Sequence, residues 1–234
     1  MAWNPHHTFV LTDEHRRLPK NGLQRRAAAT CRIQRPCAAA QPRPPLLGGT
    51  LKGVGTVYVQ VVVDTYCSLP FAKLYPSKMP ITPADLLIDR VLPFYEAIGV
   101  DVGAVLTDNG REFCGKPEEH PFELVLAMHD VEHRRTKIAT PRTNGFVERM
   151  NRTLLDECFR VAGRQTWYLT PAEIQRDLDA FLRYYNQERS HQGYRLKGRT
   201  PALALQQALQ TDVLPPIDPE AEEAPEPDAD THAA

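Results

Sequence analysis

No two of the five cysteines stand as a C-x-x-C pair, and their number is odd. Cys31, Cys37, Cys67, Cys114 and Cys158 therefore suit neither a zinc site nor a closed disulfide framework, and free thiols in a reducing cytosol are expected. His120, His129 and His133 have no matching Cys pair, so they read as surface or structural histidines. No apolar run is long enough to span a membrane, and the N-terminus lacks a secretory core, which predicts a cytoplasmic protein without a membrane partner. Lys and Arg are missing from Asp212 onward, where eight acids stand. Carboxylates are missing between Glu14 and Asp64.

The net charge of −1 hides this asymmetry. Residues 1–52 carry nine basic and two acidic side chains, and residues 53–211 are balanced at 19 against 19. Total charge alone thus does not argue for nucleic acid. Residues 1–47 are rich in Arg, Ala, Pro and Gln without helical or strand periodicity. They are expected to be a disordered or aberrant segment, with the composition of a GC-rich coding sequence read out of frame. Residues 48–211 form the expected folded core. Residues 212–234, rich in Pro, Glu, Asp and Ala, form an acidic tail expected to be disordered.

Order is expected from about Gly55. The run TVYVQVVVD, Thr56 to Asp64, is β-branched and predicts a strand. Residues 69–75 return as a second strand after a turn at Thr65 to Ser68. Thr82-Pro83 starts a helix that Gly99 stops, with Pro93 as a bend. Val102 to Thr107 is a short buried strand, residues 121–129 a helix, and Glu132 to Ile138 an exposed or edge strand. A helix opens near Asn144 and runs to about Val161. Thr170-Pro171-x-Glu173 is a capping box with Ile174, Leu178, Phe181, Leu182 and Tyr185 on its apolar face. Thr200-Pro201 starts the last helix. Strands followed by alternating helices and strands predict an α/β domain with a mixed sheet.

Two segments carry chemistry. Asp108 closes a buried strand in Leu106-Thr107-Asp108-Asn109-Gly110, and ligands of open α/β sheets gather at the carboxyl ends of strands. Glu148 falls in the first turn of the helix near Asn144. Oxygen ligands of this kind suit magnesium. Two metal ions about 3.5–4 Å apart can clamp the attacking and leaving oxygens of a displacement at phosphorus. Taken singly, each motif has an ordinary reading: Asp-Asn-Gly as a turn, and Glu148 with Arg152 as an i,i+4 pair.

From about Gly48 to Leu209 the chain resembles insertion-sequence transposases with a retroviral-integrase-type catalytic core. The segments that carry the resemblance are LKGVGTVYVQVVVDTYCSLPFAKLY, VLPFYEAIG, AVLTDNGREFCG, EHRRTKIATPRTNGFVERMNRTLLDE and YYNQERSHQGYRLKGRTPA. The resemblance implies an RNase H-like mixed sheet flanked by helices. It implies an Asp-Asp-Glu triad holding two Mg2+ or Mn2+ ions, with water and then a DNA 3′-hydroxyl as nucleophile. Asp108 takes the place of the second acid and Glu148 that of the third, both as catalytic residues and metal ligands. Partners would be transposon ends, target DNA and other copies of the chain in a homo-multimer.

The resemblance places the first acid ahead of LKGVG, near Pro44, where this chain has RPPLLGG. Two prolines there disfavour a central strand. The expectation is a degraded first central strand, with Leu46 to Thr50 at most a remnant, and Asp64 a hairpin residue rather than the missing acid. The expected function is a transposase core for DNA integration and transposition, impaired by loss of that acid. The alternatives are an active enzyme using Asp64, a non-catalytic DNA-binding or multimer-interfering fragment, and an inert product. Arg134, Arg135, Lys137, Arg142, Asn144, Arg149 and Arg152 are candidates for phosphate contact without sequence reading. Tyr184, Tyr185, Asn186, Arg189 and His191 read as a packing and turn-fixing motif. No helix-turn-helix pattern occurs in residues 1–52.

Overall fold

The computed structural model describes residues 27–33, 37–38, 50–51, 55–136, 145–166, 168–193 and 196–217. Its strands are β1 (Ala27–Ile33), β2 (Cys37–Ala38), β3 (Thr50–Leu51), β4 (Gly55–Thr56), β5 (Tyr58–Asp64), β6 (Pro70–Tyr75), β7 (Val100–Thr107) and β8 (Glu132–Arg135). Its helices are α1 (Ile81–Leu86), α2 (Leu92–Ala97), α3 (Pro121–Met128), α4 (Gly145–Thr153), α5 (Arg160–Gln165), α6 (Pro171–Gln187) and α7 (Pro201–Leu209). Two π-helical turns, Leu87–Val91 and Leu154–Phe159, join α1 to α2 and α4 to α5.

The main sheet is mixed. β6 pairs antiparallel with β5, β5 antiparallel with β1 and β2, β1 parallel with β7, and β7 parallel with β8. On β5 the alternate residues Val59, Val61 and Val63 pack under Val147, Met150 and Leu154 of the α4 layer and Ile174, Leu178 and Leu182 of α6. Val62 faces the other side, toward Leu86, Tyr95, Phe113 and Phe122. The period-2 pattern of a strand thus serves two cores at once.

Central position is held by β1; of the expected remnant Leu46 to Thr50, residues 46–49 lie outside the described residues. Thr50–Leu51 instead forms a small hairpin with Gly55–Thr56. The expectation of a degraded central strand is therefore corrected: seven residues, AAATCRI, fill the slot. That segment contains no proline, so each residue offers both a donor and an acceptor to the ladders that β5 and β7 would otherwise leave unpaired. Strands β1 and β2 also fall inside the segment 1–47 that composition assigns to disorder.

Other elements match the sequence more closely. Thr170 Oγ1 accepts from the Glu173 amide and the Glu173 carboxylate accepts from the amides of Leu169 and Thr170, which completes the capping box of α6. Gly99 takes a positive φ of 68° after α2, as a left-handed terminator should. Pro93 produces no helix end. The chain slips into π register just before it, with the Leu92 amide reaching back to the Leu87 carbonyl, an accommodation for a ring that clashes with the carbonyl four residues back.

Candidate active site

Asp108 stands at the carboxyl end of β7, partly exposed. Its Oδ1 accepts from the Gly110 amide at 2.8 Å, and the Gly110 carbonyl accepts from the amides of Phe113 and Cys114 at 3.0 Å. Asn109 Nδ2 donates to the Thr136 carbonyl at 3.0 Å, while the Thr136 amide donates to the Thr107 carbonyl at 2.9 Å. Both ends of the loop are thereby fixed to the strand pair β7–β8. Phe113 anchors its base, edge-on to Phe122 of α3. A Cβ at Gly110 would meet the Glu112 carboxylate at 2.7 Å, so a larger residue there would displace the Glu112 side chain.

Glu148 is exposed in the first turn of α4, next to Val147, which is fully buried against the valines of β5. Among the described residues no three His, Cys, Asp or Glu side chains are grouped to hold a metal ion. β1 lies between β5 and β7, and its sequence AAATCRI holds no carboxylate.

Asp64 sits elsewhere. It shares the α2 face of β5 with Val62, away from the α4 layer that packs on Val61 and Val63. Its carboxylate is buried and accepts from the Tyr66 amide at 2.6 Å, the Tyr95 hydroxyl at 2.6 Å and the Cys67 thiol at 3.4 Å. Burial pushes this carboxyl above the usual range, against the lowering pull of Tyr95, Tyr66 and Cys67. It organises the Asp64–Leu69 turn, in which Ser68 takes a positive φ and its amide donates to the Asp64 carbonyl. Asp64→Ala is expected to cost about 2–3 kcal/mol, because the Tyr95 hydroxyl and Tyr66 amide lose their acceptor in the interior. Asp64→Asn keeps an acceptor oxygen and should cost less. With the folded pKa raised, the native state binds the extra proton. Wild-type stability should therefore fall as pH rises from about 3.8 through the folded value, a slope absent from Asp64→Asn. Urea unfolding across that pH range checks both points, and equal slopes would refute the second.

The basic candidates divide. Arg134 pairs with Glu132, and Arg135 with Glu123 at 2.6 Å, so part of their charge is neutralised within the chain. Arg149 and Arg152 are exposed on α4. Lys137, Arg142 and Asn144 lie outside the described residues. In the C-terminal motif, Tyr185 is buried under His191, with ring centres 4.5 Å apart, while Tyr184 is 47% exposed rather than packed. Arg189 forks onto Glu157 at 2.7 and 2.9 Å. Asn186 is buried and reaches the Pro70 carbonyl rather than bonding locally.

Three residues escaped the sequence reading. Thr107, His133 and Glu123 line up behind Asp108: His133 Nε2 is 2.8 Å from Thr107 Oγ1, and His133 Nδ1 is 2.9 Å from Glu123 Oε2. The available signal was the alternation in Glu132-His133-Arg134-Arg135, which turns His133 inward on a strand read as exposed.

Residues 129–201 match the family described as Integrase core domain. The ORF3 integrase candidate of Spiroplasma virus SpV1-C74 is 22% identical over 152 residues, a match that covers 62% of this chain and 40% of that protein's length. The catalytic core domain of BIV integrase superposes with a TM-score of 0.52 at 17% identity, over 76% of this chain and 94% of that one. A chain of the simian T-cell lymphotropic virus intasome in complex with PP2A regulatory subunit B56 gamma gives 0.55 at 16% identity, over 99% of this chain and 66% of that one. The fold is thus the RNase H-like fold of retroviral integrase catalytic cores, and within it residues 129–201 are similar to the integrase core family.

Proposed function

We propose that this chain is a DNA integration or transposition core of the insertion-sequence type whose strand-transfer site is incomplete. One observation carries the reading: a central strand without a carboxylate stands beside β7, whose carboxyl end leads directly into Asp108. Asp108 and Glu148 supply hard oxygen donors suited to Mg2+ or Mn2+. Two divalent ions would activate the attacking oxygen and stabilise the leaving one, yet two carboxylates are short of the ligands such a clamp needs. The described residues therefore do not fit the two-ion arrangement.

What remains is a folded, DNA-facing scaffold. Arg149 and Arg152 on the exposed side of α4, with Lys137, Arg142 and Asn144 before it, supply phosphate contacts that position a duplex without reading it. In a multimer, such a copy occupies a place while contributing no complete site, which makes it a competitor of intact copies.

Retention on duplex DNA should fall steeply between 50 and 200 mM salt, on the order of tenfold or more for a few phosphate contacts. It should survive Asp108→Ala, whereas Arg149→Ala and Arg152→Ala should each lower the salt slope by about 1. Filter binding across a salt series measures this, and absence of retention at 50 mM salt would sink the DNA-binding reading.

A further inference from the structure

We propose that a notch at the amino end of β7 is the docking site for this chain's own basic segment, residues 15–26. The notch lies at the opposite end of the strand from Asp108, and its chemistry suits an extended cationic peptide.

Local structure makes the notch. β1 pairs with β7 from Ala27 opposite Val100, and the register shifts between Ala29 and Thr30, which leaves Gly103 as the extra residue of a bulge. On its other side β7 meets β8 only from Ala104 onward. The reason lies in α3. Asp130 takes a positive φ of 53°, and the Val131 amide donates to the Leu126 carbonyl at 2.9 Å. This is a left-handed helix end, in which the residue after the left-handed one bonds back into the last turn. The Val131 amide is thereby committed to closing α3, and β8 starts one residue later, at Glu132. Val102 and Gly103 thus have no strand beside them on that side among the described residues. The gap is a cavity of about 550 Å³, lined by Leu92, Val102, Gly103 and Val131, with Glu96 and Asp130 at its exposed rim. That volume falls within the range of ligand pockets.

The walls select the occupant. An open strand edge binds an extended peptide through main-chain hydrogen bonds. Among the described residues neither Glu96 nor Asp130 forms an ion pair. Helices α2 and α3 both end here, at Ala97 and Met128, so their carbonyl ends add negative potential. A cationic peptide is favoured, and the phosphates of DNA are repelled.

Residues 15–26 are that peptide. They read HRRLPKNGLQRR, five Lys or Arg with no acid. They lead directly into Ala27, whose partner Val100 lines the same cavity. Passing from the β1 side of β7 to the β8 side spans two strand spacings, about 10 Å, which about three extended residues cover. Gln24 to Arg26 suffice for the crossing, and residues 15–23 remain to lie along the notch, antiparallel to β7. Pro19 is tolerated there because the added strand is an edge.

Limited trypsin digestion of the full chain, read by mass spectrometry, tests this. Cleavage after Lys20 and Arg25 should be slow in the wild type. Glu96→Gln with Asp130→Asn removes the rim charges and keeps side-chain size, and Asn tolerates the left-handed backbone at position 130. Cleavage in the segment should then speed up on the order of tenfold, the factor expected for a few exposed ion pairs. Salt at about 1 M should do the same to the wild type, since the screening length falls to about 3 Å. Cleavage within the fold should not change, which separates release of the segment from loss of structure. Arg16→Gln with Arg17→Gln alters the segment alone and should give the same rise after Lys20, so the test stands even if the notch variant fails to fold. Equal cleavage rates in wild type and variants overturn the proposal. So does protection that grows with protein concentration, which would assign the notch to the segment of a second copy.

Discussion

Incubated with duplex DNA and either Mg2+ or Mn2+, the chain as it stands should yield no joined product, and an acid restored to the central strand should bring cleavage back. Position 32 is the site for that acid. In the ladder it pairs with Val63 on one side and Leu106 on the other. Val63 belongs to the face that α4 covers, and Leu106 is two residues before Asp108, the spacing at which a strand returns to the same face. An arginine now occupies this register. Arg32→Asp should place a carboxylate at this register, as a third metal ligand beside Asp108 and Glu148. The expected gain in Mn2+-dependent nicking is at least on the order of 10³-fold, or about 4 kcal/mol of transition-state stabilisation. The gain should vanish in Arg32→Asp combined with Asp108→Ala.

The same experiment separates the rival that uses Asp64. If the unaltered chain cuts DNA and Asp64→Asn abolishes the cutting, then Asp64 leaves its bonds to Tyr95 and Tyr66 to reach the site. The geometry argues against that route. Asp64 would have to cross from the α2 face of β5 to the α4 face, giving up two hydrogen bonds of 2.6 Å in the interior. Unsatisfied donors of that kind cost about 1–3 kcal/mol each. A surviving joining activity in Asp64→Asn would instead point to a ligand beyond the described residues.

What the sequence made legible follows from how local each signal is. The β5–β6 hairpin, the capped α6 and the strand ending in Asp108 were readable because their determinants lie within a few residues: β-branched alternation, Thr170 with Glu173, and Asp-Asn-Gly after an apolar run. The identity of the central strand was not readable. Ala27–Ile33 has weak intrinsic strand preference, and its place comes from the open ladder edges of β5 and β7, a tertiary demand that overrides propensity. The Glu123–His133–Thr107 line was hidden for a related reason. Its members come from α3, β8 and β7 and meet only once the parallel pair β7–β8 sets Thr107 opposite Arg135. Arg134 and Arg135, read as candidates for phosphate contact, are matched to Glu132 and Glu123, partners that strand alternation alone does not reveal.

Arg90→Ala should be the most damaging single substitution in the core, costing about 3–5 kcal/mol by leaving a buried charge without its partner. Arg90 is 3% exposed, and its guanidinium contacts Asp179 Oδ1 at 2.5 Å and Oδ2 at 3.4 Å. The pair ties the π-helical turn Leu87–Val91 to α6 across the outer edge of β6. That edge is where a sheet would otherwise recruit another strand. Arg90 donates to the Ala72 carbonyl at 3.2 Å, and the Leu74 amide donates to Gln175 Oε1 at 2.8 Å. Gln175 in turn donates through Nε2 to Asp179 Oδ1 at 2.8 Å. One buried network thus satisfies an acceptor and a donor that β6 presents outward. Removing Arg90 both takes the buried counter-charge from Asp179 and uncovers the Ala72 carbonyl, so lost stability and self-association should appear together. Arg90→Met with Asp179→Leu removes both charges and should recover most of the stability, since apolar replacements of buried ion pairs are often neutral or better. It should not recover the monodisperse state, because the edge remains uncovered. Urea unfolding and light scattering on the two variants read the two effects separately. A loss below about 1 kcal/mol in Arg90→Ala would mean that the pair is solvated in practice and that the edge of β6 is protected by packing alone.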